Sequence, residues 1–223
     1  MKRFVVLALL CLLTGCDEHI ESTESPLGTS ETEYVTILVF DMSGSFEQLM
    51  EQHGYEFALH VLDRNFKGRI GTHDKLIITM ISGTQRSMLW EGKAMDLRNE
   101  FPSATVFKDF LRKKAPAGSL VHDSIRNAVE YVMSEPQVAA GNAKTSLFVL
   151  SDMEDSELNA AESERKLLAT LADFARLKTV VGLYFVHQLR VATWRQHLHN
   201  AGFRGFRVES EINGKPTLPN FEN

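Results

Sequence analysis

Cysteine is almost missing from this chain of 223 residues: Cys11 and Cys16 are the only two, and both precede residue 17. The bulk of the chain therefore has no disulfide framework and no thiolate zinc site. An excess of positive charge is also missing, since the formal net charge is −5. Six of the 29 acids and two of the 24 Lys and Arg precede Tyr34, which leaves 23 acids against 22 bases beyond it. A nearly neutral domain has no electrostatic footprint for nucleic acid. Long hydrophobic runs are scarce as well. The one near the N-terminus, residues 4–13, is too short to span a bilayer as a mature helix, and no run of eighteen apolar residues follows. Eight histidines are present, but no pair has the i, i+4 spacing with a carboxylate nearby that a helical zinc site needs. No nucleophile elbow is visible either.

What is present reads as one globular domain behind an exported leader. Hydrophobic residues make up 43% and charged residues 24%, enough for a full core in a soluble domain. Lys2 and Arg3 precede the apolar stretch, which ends Leu13-Thr14-Gly15-Cys16. That ending resembles the lipobox of bacterial lipoproteins. The resemblance implies a signal peptide over residues 1–15, cleavage before Cys16, and acylation of Cys16. Several acyl chains anchor a protein stably where one binds marginally. Asp17 directly after that Cys resembles an inner-membrane retention signal, which places the domain on the periplasmic face of the inner membrane in a cell with two membranes. From residue 16 to residue 33 the chain is polar and acidic with no apolar periodicity, as expected of a flexible tether.

From residue 34 strands and helices alternate. Residues 34–40, Tyr-Val-Thr-Ile-Leu-Val-Phe, form an unbroken β-rich apolar run, the pattern of a strand buried on both faces. Phe46, Leu49, Met50, Phe57, Ala58, Val61 and Leu62 recur at helical spacing and predict one long first helix. Buried strands are expected at 76–81, 146–150 and 179–186, with edge strands near 87–90 and 206–208. Further helices are expected after Pro102, from Val121 to the break at Pro136, around Leu167–Ala175, and around Val191–Leu198. Such alternation predicts an α/β fold: a Rossmann-like open, mostly parallel β-sheet with helices on both faces. The tail, residues 213–223, has two prolines and reads as disordered.

Three segments carry chemistry. The first strand stops at Asp41, and Asp41-x-Ser43-x-Ser45 follows it into a helix. Ala117-Gly118-Ser119-Leu120 precedes another helix. Leu150-Ser151-Asp152-Met153-Glu154-Asp155 ends another buried strand. In open α/β sheets ligands bind at that carboxyl edge. Together the segments resemble the von Willebrand factor type A domain with its metal-ion-dependent adhesion site, over residues 34–212. The resemblance implies one antiparallel edge strand. It also implies a divalent cation, Mg²⁺ first with Mn²⁺ or Ca²⁺ as alternatives, held by Asp41, Ser43, Ser45, Ser119 and Asp152. A protein partner would complete the site with an acidic side chain. An all-oxygen donor set suits those hard cations better than zinc. Two departures stand out. Ser119 replaces the usual Thr, and Met153 replaces a frequent Gly, which is expected to reshape the loop and narrow access to the site.

Other readings compete. Ser45 and Ser119 precede helices and are suited to capping alone. Glu154, Asp155 and Glu157 read as solvated acids matched to a helix dipole, the alternative being that they support the site's ligands or form a rim that repels acidic partners. His122 and Asp123 follow Ser119 and are candidates for the site rim. The expected function is partner binding by a membrane-anchored envelope protein rather than catalysis. A metal-dependent hydrolase and a metal-free scaffold are the alternatives. The sequence carries no signal for oligomeric state.

Overall fold

The computed structural model describes residues 34–66, 74–81, 88–113, 119–156, 158–210 and 217–220. The expected signal peptide, Cys16 and the tether lie outside the described residues. Six strands form one sheet: β1 (Tyr34–Asp41), β2 (Lys75–Ile81), β3 (Met88–Lys93), β4 (Lys144–Leu150), β5 (Thr179–Tyr184) and β6 (Gly205–Glu209). Their order is β3-β2-β1-β4-β5-β6. Every pairing is parallel except β2 with β3, so β3 is an antiparallel edge. This is the expected α/β class, with β1 central and β2 and β4 on either side of it.

The helices are α1 (Gly44–Leu49), α2 (Tyr55–Phe66), α3 (Ala94–Glu100), α4 (Ala104–Lys113), α5 (Val121–Met133), α6 (Pro136–Ala139), α7 (Ala160–Phe174) and α8 (Val191–Ala201). Alternation along β1 explains the two layers, because successive side chains point to opposite faces. Val35, Ile37 and Val39 meet α5, α7 and α8 on one face. Leu38 and Phe40 meet α1, α2 and α4 on the other. Ile37, Leu38 and Val39 are each 0% exposed, which is why this strand reads as a continuous apolar run.

Several expectations change in detail. The long first helix is interrupted by a π-helical turn, Met50–Gly54. Met50 is buried, and a Cβ on residue 54 would sit 2.2 Å from its sulfur, so Gly54 makes room for that side chain. A π turn is a recognised way to insert one residue into a helix. Strand β5 stops at Tyr184 rather than 186, because Phe185 takes a left-handed backbone (φ 66°). That conformation turns its ring against Phe46 and Phe57, with centroids at 5.7 and 5.2 Å. Helix α3 has no counterpart in the sequence reading. Within the segment read as a disordered tail, residues 217–220 are packed on the sheet: Leu218 is buried on the α2 face and the Tyr184 hydroxyl donates to the Thr217 carbonyl at 2.9 Å.

Candidate metal centre

Strand β1 lies where the strand order reverses, between β2 and β4. A crevice opens outside the carboxyl ends of strands at such a switch point. Asp41, the last residue of β1, occupies it and is 0% exposed. Register places Phe40 opposite Leu150, so the residue after β4 faces Asp41. That residue is Ser151, whose hydroxyl donates to Asp41 Oδ2 at 2.6 Å and accepts from the Met153 backbone N–H at 2.9 Å. On the other side the Ser43 backbone N–H donates to Asp41 Oδ1 at 2.9 Å, and the Ser43 hydroxyl bonds the carboxylate as well.

Burial pushes the Asp41 carboxyl above its usual range. The bonds from Ser151 and Ser43 pull it back, and the neighbouring carboxylate of Asp155 pushes it further up. None of these groups is a cation. A buried carboxylate with hydroxyl and amide partners but no positive charge is costly to ionise.

Ser119 stands just before α5 and is buried. Its hydroxyl oxygen has no hydrogen-bond partner among the described residues. The capping role is therefore not what it performs, and the N-cap residue of α5, Leu120, makes no side-chain cap bond either. The Ser119 carbonyl accepts from the Ser156 hydroxyl at 3.1 Å, which ties this loop to the one after β4. Asp152, one step beyond Ser151, is half-buried; its Oδ1 accepts from Glu154 N–H and its carbonyl from His187 N–H, both at 2.9 Å. Asp41, Ser43 and the 119 and 152 loops thus meet at one edge. The side chain of Ser45 lies outside the described residues.

Met153 has a left-handed backbone (φ 61°), the region that favours glycine. Its side chain is buried in the core shared by α5 and α7. The expected narrowing of the site by Met153 is corrected accordingly: the residue points into the core.

The reading of Asp155 as a solvated acid is also corrected. Its side chain is 1% exposed and lies 3.2 Å from Nδ1 of His122, whose own side chain is 0% exposed. Asp155 Oδ2 also accepts the His122 backbone N–H at 3.0 Å. His122 is therefore beneath the site rather than on its rim, packed against Trp194 with ring centroids 5.9 Å apart. Burial lowers its tendency to protonate, and Arg190 adds to that. Asp155 and Glu164 oppose, and the net shift is downward. Glu164 in turn binds Arg190 at 2.9 Å and His197 at 3.1 Å. Asp123 instead pairs with Arg126 at 3.0 Å. Glu154 is exposed as expected, and Glu157 lies outside the described residues. Sequence reasoning missed Ser151 and favoured solvent for Asp155, because Ser and Asp after a strand are ordinary loop residues until the fold puts them beside Asp41.

Among the described residues no three His, Cys, Asp or Glu side chains converge as a metal site. The oxygens that do converge include serine hydroxyls. An orphaned buried hydroxyl and a buried carboxylate lacking a cation fit a hard divalent ion.

No family model matches this chain, and no curated protein does. Among solved structures it is similar to the pilus adhesin SpaC from Lactobacillus rhamnosus GG in an open conformation. The TM-score is 0.53 at 11% identity, over 82% of this chain and 28% of the adhesin. Proximal thread matrix protein 1 from the mussel byssus matches with a TM-score of 0.44 at 11% identity, over 80% of this chain and 44% of that one. This chain thus spans 28% of the adhesin's length, and at this identity the likeness is one of fold.

Proposed function

We propose that this chain is a membrane-anchored envelope lipoprotein, acylated at Cys16. Its von Willebrand type A domain binds a protein partner through a divalent cation. The observation that carries the reading is the Ser119 hydroxyl, buried and without a partner among the described residues, at the edge where Asp41 is buried with no cation among them beside it. Asp41, Ser43, Ser119 and Asp152 would hold the ion, with Ser45 as the resemblance implies. The ion supplies a Lewis acid that accepts one carboxylate oxygen from the partner. The left-handed backbone at Met153, where the family often has Gly, is consistent with that loop. Ser151 and Asp155 hold the loop in place around Asp41.

Calorimetric titration with Mg²⁺ and Mn²⁺ tests the cation. Wild type is expected to bind, and Asp41→Ala and Asp152→Ala to stay folded without binding. No heat and no shift in melting temperature with metal would leave a metal-free scaffold. Pull-down of the full chain with and without chelator then tests the partner. Phosphoester turnover with Mg²⁺ that Asp41→Ala abolishes would instead support the hydrolase alternative.

A further inference from the structure

At the opposite edge of the sheet, where β4, β5 and β6 begin, lies a cavity of about 570 Å³. Seven residues of strand β4, roughly 20 Å at the usual rise, separate this edge from the one where Asp41 ends β1. Four cationic residues line it: Lys144, Arg176, Lys178 and Arg204. No Asp or Glu does. Arg176 pairs only with exposed Asp173 outside the cavity, at 3.2 Å, and Lys178 and Arg204 have no ion pair among the described residues. Helices α7 and α8 end nearby, and cations beside helix C-termini are favoured by the dipole. Dipole matching accounts for one cation at each end. It does not account for Lys144, the first residue of β4, joining them around a common volume.

We propose that this cleft binds a phosphate ester. Two guanidinium groups offer forked donors suited to phosphate oxygens, and two ammonium groups add point charges. The volume exceeds a bare phosphate and falls in the range of small-molecule sites. Two sources present the same group: a free phosphate ester, or the headgroup of an anionic lipid. The lipid source has access, because Tyr34 pairs with Lys144 in register and the expected anchor at Cys16 lies 18 residues before it.

The test uses the full chain carrying Cys16→Ser, so that acyl chains play no part. The probes are glycerol phosphate in solution and vesicles of phosphatidylglycerol or phosphatidylcholine. Saturable binding is expected, weakened at least about tenfold by Lys178→Glu with Arg204→Glu, with the Mg²⁺ response unchanged. Loss confined to phosphatidylglycerol vesicles assigns the lipid source; loss confined to glycerol phosphate assigns the free ester. The milder Lys178→Gln with Arg204→Gln serves if charge reversal disturbs folding. A control, Arg165→Glu with Lys166→Glu on exposed α7 surface, changes net charge equally. No saturable binding of either probe overturns the proposal. So does binding that the cleft variants leave intact, or that the control weakens as much.

Discussion

Asp41 decides what the site can do, because its environment disfavours the charge that a cation requires. Burial raises its pKa in the folded protein above the unfolded value. A group shifted upward contributes stability below its unfolded pKa and loses it as pH rises through the folded one. The metal-free protein is therefore expected to be destabilised by Asp41 at neutral pH. Asp41→Asn should melt higher than wild type in chelator at pH 7, and the difference should vanish on acidification. If the proposed cation binds, the order is expected to reverse with it present. At one hundred times the dissociation constant a ligand adds about 2.7 kcal/mol to wild type, and the Asn variant should gain little or none. Melting curves with chelator and with Mg²⁺ check both halves. Met153 offers a second residue-scale balance. Glycine there would relieve roughly 1 kcal/mol of left-handed strain. It would also remove a side chain 1% exposed in the core, a loss of about 2–5 kcal/mol. Met153→Gly should therefore destabilise by about 1–4 kcal/mol in urea denaturation, despite the backbone it suits.

At the scale of elements, the start of α5 is fastened to the loop between β4 and α7 by Asp155. That carboxylate takes the His122 backbone N–H and faces its ring. Asp155→Ala leaves that backbone N–H without its acceptor in a dry place, while the ring keeps the Ala160 carbonyl 3.3 Å from Nδ1. A cost of about 2–3 kcal/mol is expected, because buried bonds to charged groups are the stronger ones. The same pair makes stability sensitive to pH. His122 is held below its ordinary pKa, chiefly by burial. Its stabilising share is present above about pH 6.5 and is lost as pH falls toward the folded value. The melting temperature should drop between pH 7 and pH 5, and drop less in His122→Gln. An equal drop in both proteins would remove His122 from the account.

At the scale of the whole molecule, the last described residues complete the α2 face of the sheet. A Cβ on residue 205 would stand 2.4 Å from the Asn220 carbonyl and 2.9 Å from Val180 Cγ1. Glycine at the start of β6 thus lets the tail pass. Gly205→Ala is expected to cost about 1–3 kcal/mol, the usual range for overpacking. Deleting residues 217–223 removes buried Leu218 and the acceptor of the Tyr184 hydroxyl, an expected loss of about 2–4 kcal/mol. The two changes should not add. In the deletion background the cost of Gly205→Ala should shrink by more than about 0.5 kcal/mol, because one of the two obstructions is gone.

The α/β class and its strands were legible in the chain itself. Two-sided burial forces continuous apolar runs such as residues 34–40, and helical spacing marks the covering layers. Asp41, Ser43, Ser119 and Asp152 were legible as the polar residues that interrupt those runs at strand ends and helix starts. Four features were decided only by tertiary structure. Ser151 became a partner of Asp41 through the register of β4 on β1. Asp155 left solvent because His122, 33 residues away, offers it a buried donor. The tail found a surface because Tyr184 and Gly205 shape one for it. The break in the first helix follows from packing Met50 beside Gly54. Local pattern reports which face is apolar. Which polar group meets which depends on contacts between residues far apart in the chain, and periodicity does not encode those.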